Sequence, residues 1–112
     1  MYLESREKTA LLCLLLEIMN ADGILSDNEK SYISSVMRDY GLSNADIMSA
    51  HQMDPQYAVR IVYHMEDQKK ALFYRIFQNM EHVDNSPFPQ TVDVVDLITI
   101  KARLLESVKK CR

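Results

Sequence analysis

Residues 10–19 carry a single charge, Glu17, among side chains that are otherwise all apolar. Leu11, Leu12, Leu14, Leu15 and Leu16, with Cys13, Ile18 and Met19, make a helix over residues 5–21 that is apolar nearly all round. A helix with no polar face has nowhere to go except the centre of a core. The run falls far short of the ~20 apolar residues that span a bilayer. A secretory signal is also disfavoured, because Glu17 interrupts the apolar run and Glu4 and Glu7 offset Arg6 and Lys8 ahead of it. The expectation is therefore a helical domain wrapped around its first helix.

The rest of the chain supplies the wrapping. Asp22-Gly23 should stop the first helix, since glycine enters the left-handed conformation without steric cost. Ser26-Asp27-Asn28-Glu29 reads as a capping box that starts a second helix. Tyr32, Ile33, Val36, Met37 and Tyr40 then form one apolar stripe, closed by Gly41. Ser43 caps a short third helix with Ile47 and Met48. Asp54-Pro55 supplies a cap and a first-turn proline for a fourth helix, with Tyr57, Ala58, Ile61, Val62 and Met65 inward. A fifth helix, over about residues 67–82, buries Leu72, Phe73, Ile76, Phe77 and Met80. Pro87 and Pro89 break the chain. A last helix runs to residue 110 with Val94, Val95, Ile98, Ala102, Leu105 and Val108 inward.

These elements predict an all-α fold, a compact bundle of five to six helices in a single domain over residues 1–112. Only two glycines and three prolines are present, too few for many short strands, which need a turn about every eight to twelve residues. The first two helices flank Asp22-Gly23 and the fifth and sixth flank Val83-Asp84-Asn85, which suggests two loosely repeated helical halves.

Function is less constrained. A net charge of −3 and scattered basic residues give no field for a phosphate backbone, so nucleic acid is not an expected partner. The basic residues of the last helix sit where a helix C-terminus favours cations. Cys13 and Cys111 form neither a CxxC pair nor a disulfide framework, and a reduced, cytoplasmic setting is expected. His51, His64 and His82 share no metal-binding spacing. No P-loop, GxGxxG or GxSxG motif occurs, and nothing supports an enzyme. Met48 and Met53, and Tyr2 and Tyr63, are the methionines and tyrosines expected at the surface, where they would suit a protein partner.

The segment 22–29 is the richest in chemistry, with Asp22, Asp27 and Glu29 around one tight helix-loop-helix. Clustered carboxylates suit hard cations such as Ca²⁺ or Mg²⁺. Aligned on an EF-hand loop with Gly23 sixth, Glu29 falls at the twelfth position, but Ile18 falls at the first and cannot ligate. Helix capping accounts for the same residues, apart from the choice of aspartate at 22 and 27.

Ala21-Asp22-Gly23 after a leucine-rich helix, with Glu29 early in the next and Gly41-Leu42 closing it, resembles the TerB-like domains named after tellurite resistance. The resemblance covers most of the chain and is strongest in its first half. In the second half His82-Val83-Asp84-Asn85 stands where that family often repeats Asp-Gly. The resemblance implies a non-enzymatic all-helical module, in stress response or membrane-associated assemblies, with an acidic surface for a divalent cation or a basic partner. It carries over Asp22, Glu29 and Asp84, to which Asp27 is added from the loop itself. The alternative is a helical scaffold that binds a protein or its own copy and uses no ion.

Overall fold

A computed structural model describes residues 2–20, 27–81 and 89–110, with the backbone alone given at 81 and 89–94. Among them are seven α-helices and no strand: α1 (Ser5–Asn20), α2 (Asp27–Tyr40), α3 (Asn44–Gln52), α4 (Pro55–Tyr63), α5 (Asp67–Glu81), α6 (Pro89–Lys101) and α7 (Leu104–Lys110). The radius of gyration is 12.9 Å, close to the roughly 13 Å of a close-packed domain of this length. None of these helices is long and apolar enough to cross a membrane.

α1 is the axis of the bundle, packed against α3, α4, α5 and α6. Ala10, Leu11, Leu12, Cys13, Leu14 and Leu15 are all buried in succession, so four helices surround what the sequence shows as a helix without a polar face. Phe73 and Phe77 of α5 meet edge to face with ring centroids 6.0 Å apart, one turn along the same buried stripe. α2 joins α5 through the Tyr32 hydroxyl, which donates to the Ile76 carbonyl at 2.8 Å.

Local chemistry sets the helix ends. Gly41 has φ +70°, and the Leu42 amide donates to the Met37 carbonyl at 2.8 Å, which is the Schellman closure of α2. Ser43 and Asp46 form a reciprocal capping box on α3. Asp54 caps α4 by accepting from the Gln56 amide, with Pro55 in the first turn. The expected capping box at Ser26, the stop at Asp22-Gly23 and the second-half motif at Val83-Asp84-Asn85 lie outside the described residues.

The single last helix of the sequence reading is two helices. α6 ends at Lys101, Ala102 bonds back to Ile98, and Arg103 turns the chain at φ +55° before α7 begins. This break shifts the helical phase. Leu104 is buried and Leu105 is 47% exposed, the reverse of an unbroken stripe. Tyr57 is likewise a correction, being 51% exposed although it was expected inward. It lies two residues after Pro55, in the first turn of α4, which borders the surface of α1 and α3.

Candidate functional site

Of the four expected acidic site residues, Asp22 and Asp84 lie outside the described residues. Asp27 and Glu29 share the first turn of α2, where carboxylates are favoured by the exposed amides and the helix dipole. Asp27 is exposed, whereas Glu29 is only 4% exposed and is engaged in a polar interaction. Two carboxylates alone fall short of the six to eight oxygens, roughly, that surround Ca²⁺. No group of three or more His, Cys, Asp or Glu is arranged to hold a metal among the described residues. His51 lies in the last turn of α3 and His64 is the C-cap of α4, and both are exposed.

Three polar connections near the start of α5 hold the helices that frame the surface. Lys69 Nζ donates to Glu7 Oε1 at 2.8 Å, and the same oxygen accepts the Glu4 amide at 2.8 Å. Ser107 Oγ donates to Asp67 Oδ1 at 2.8 Å, fastening α7 to α5. Lys70, buried, donates to the Tyr63 carbonyl at 3.2 Å with its charge 5.1 Å from the Tyr63 ring. Burial lowers the Lys70 pKa, and Lys110 and Arg103 add to that effect against Asp67 and Glu106. Arg103 stands 5.7 Å from the same ring. These contacts orient α4, α5 and α7 relative to α1.

The frame leaves an open groove of about 460 Å³ where α1, α4 and α6 diverge. Leu14, Val59 and Ile98 supply apolar wall, and Pro55 closes the end at the start of α4. Leu97, 51% exposed, stands on its edge, and Ile100 is 73% exposed three residues further along α6. Glu17, Arg60 and Lys101 form a charged rim. No described carboxylate lies within ion-pair distance of Arg60 or Lys101. Chemically this surface offers apolar burial and charge pairing, with no assembled nucleophile or acid-base pair.

Sequence reasoning did not single out Arg60 or Leu97, and it read Lys101, among the basic residues of the last helix, only as a charge suited to a helix end. A signal was present in α6, where Leu97 and Ile100 fall off the stripe of Val94, Val95, Ile98 and Ala102 and have no polar counterpart. Both expected surface tyrosines, Tyr2 and Tyr63, are exposed, and Met48 is exposed while Met53 is half-buried.

No family model matches the chain, and no curated protein matches it. The fold is similar to the crystal structure of a protein of unknown function from Porphyromonas gingivalis W83, with a TM-score of 0.79 at 14% identity over 98% of this chain and 96% of that one. At that identity the likeness is one of fold: the whole helical arrangement recurs, and nothing about activity travels with it.

Proposed function

We propose that the chain is a non-enzymatic helical interaction module that binds a protein through the α1/α4/α6 groove. The observation that carries this reading is the row of Leu97 and Ile100, large apolar residues more than half exposed on one helix beside an apolar hollow. Isolated exposed leucines are ordinary, but their alignment with a groove marks a surface suited to a partner. Photo-crosslinking tests it. A photoreactive phenylalanine analogue placed at Leu97 or Ile100 should give a discrete adduct in the producing cell, and the same analogue at Met48 should not. Identical adducts from all three positions, or none from 97 and 100, would sink the reading.

A second reading keeps the acidic helix-loop-helix of a TerB-like module, with Asp22, Asp27, Glu29 and Asp84 binding a divalent cation or a basic surface. It is supported by the presence of both Asp27 and Glu29 in the first turn of α2, next to a segment whose sequence adds Asp22. A ligand that binds only the native state must raise its melting temperature. Metal-stripped protein should therefore gain Tm in millimolar Ca²⁺ or Mg²⁺, and the Asp22→Asn, Glu29→Gln variant should not. An unchanged Tm with Ca²⁺, Mg²⁺, Mn²⁺ and Zn²⁺ removes the ion from the reading.

A further inference from the structure

The groove has a charge character opposite to that of the whole molecule. The chain has 16 acidic and 13 basic residues, yet the rim of the groove carries Arg60 and Lys101 against Glu17 alone. Both cations are exposed, and neither is neutralised by a described carboxylate. Beyond Arg60 a second hollow of about 270 Å³ carries Arg6 beside Glu7, with Arg6 paired to Glu4 at 3.5 Å, so the unpaired positive charge is that of Arg60 and Lys101 on the groove itself. An apolar floor beside two cations that no described carboxylate pairs favours a ligand with the complementary arrangement, an apolar stripe bordered by carboxylates.

The shape narrows the class. The groove is open along its length, and its apolar edge passes from Leu97 to Ile100, one turn of α6, beyond the hollow itself. A small molecule lodged in the hollow would leave Ile100 uncovered. A helix laid along α4 and α6 covers both, because side chains spaced three and four apart on a helix fit the grooves between such ridges. We infer that the α1/α4/α6 groove receives an amphipathic helix with acidic flanks, its apolar face on Leu97, Ile100 and Val59 and its carboxylates on Arg60 and Lys101. This inference rests on the reading of the groove as a docking surface and adds the chemistry of what docks.

Two labelled synthetic helices separate that chemistry from the docking surface itself. Both carry leucines at i, i+3, i+4 and i+7; one has flanking glutamates and the other flanking lysines. In fluorescence anisotropy at low salt the glutamate helix should bind at least about tenfold more tightly than the lysine helix, with the gap closing as salt is added. Arg60→Glu with Lys101→Glu should invert the preference, and Leu97→Glu should abolish binding of both, with the circular dichroism of each variant unchanged. Equal binding of the two helices, still lost in Leu97→Glu, would overturn the acidic partner and leave the groove standing. Binding of neither, or binding indifferent to Leu97→Glu, would overturn the groove as well. Sedimentation showing a dimer that Leu97→Glu dissociates would make the occupant a second copy of this chain and overturn the acidic helix.

Discussion

Lys69 and Glu7, 62 residues apart in sequence, meet with Nζ and Oε1 2.8 Å apart, and both side chains are largely withdrawn from water. Glu7 does two jobs with one oxygen. It accepts the Glu4 amide at the start of α1 and the ammonium of α5, so it closes a helix terminus and a helix pair together. The hydrogen bond from Lys69 to Glu7 holds the Lys69 pKa above its ordinary value despite desolvation. Its extra stabilisation is complete below the unfolded lysine pKa and is lost as pH rises through the raised one.

Lys69→Met should therefore destabilise by about 1–3 kcal/mol, since it strands a buried carboxylate. Glu7→Gln with Lys69→Met should recover part of that loss, because the amide oxygen still accepts from Glu4 and no charge is left unpaired. Denaturant midpoints of the two single variants and the double one check this. Simple additivity would show that the pair contributes nothing as a pair.

Arg103 occupies the left-handed region at φ +55°, where a side chain costs about 1 kcal/mol, and its guanidinium lies over Tyr63. The two effects separate by substitution. Arg103→Ala removes the ring contact and keeps the strain, whereas Arg103→Gly removes both. The glycine variant should be more stable than the alanine variant by about 1 kcal/mol, the reverse of their order inside a helix. Thermal unfolding of both decides it, and a more stable alanine variant would mean that the turn carries no strain.

That turn also shows where the sequence stops being informative. Helix starts at Ser43 and Asp54 are legible because a cap is a short-range event between residues two or three apart. The stripe from Leu72 to Met80 is legible because period alone places it. The break at Ala102–Arg103 has neither glycine nor proline to announce it, so the phase of everything after it is misread and Leu105 is put inside in place of Leu104. The groove is harder still. Arg60 and Lys101 come from separate helices and become neighbours of one hollow only through packing against α1. Of the acidic candidate, Asp27 and Glu29 share the first turn of α2, one exposed and one buried, while Asp22 and Asp84 lie outside the described residues.

Cys13 and Tyr32 make the fold sensitive to alkali. Burial, followed by Glu17 and Asp54, pushes the Cys13 thiol up to about 11, and its proton is directed to the Met53 carbonyl at 3.6 Å. Burial likewise pushes Tyr32 up to about 12, against the lowering effect of Asn79. In each case the native state keeps a proton that the unfolded chain releases, so the stabilisation is whole below the unfolded pKa and drains away as pH rises through the folded one. For Cys13 that window opens near pH 8.5 and closes near 11; for Tyr32 it opens near 10 and closes near 12. Denaturant midpoints should fall across this range, and less steeply in Cys13→Ala. Cys13 in the native protein should also resist alkylation at pH 8, where a labelled Cys13 peptide would contradict its burial.

Thr99 offers a test of a different kind. It is buried on α6, and its hydroxyl has no hydrogen-bond partner among the described residues. An unpaired buried hydroxyl carries a desolvation cost that an isosteric methyl does not. Thr99→Val should raise stability by about 1 kcal/mol, measured by chemical denaturation. A loss of similar size would show that the hydroxyl is satisfied in solution.

The groove predicts a separation of folding from binding along α6. Leu97 and Ile100 point out of the core while Ile98 and Val95 are buried in it, on the same helix and within six residues. Leu97→Gln and Ile100→Gln should thus change stability by no more than about 0.5 kcal/mol, as surface substitutions do. Ile98→Ala should cost about 2–4 kcal/mol, because it removes buried methyl groups and leaves a cavity beside α1. Urea unfolding of the three variants distinguishes a face kept apolar for a partner from one kept apolar for the fold. If Leu97→Gln were as costly as Ile98→Ala, residue 97 would belong to the core, and the outward row on α6 would lose its functional meaning.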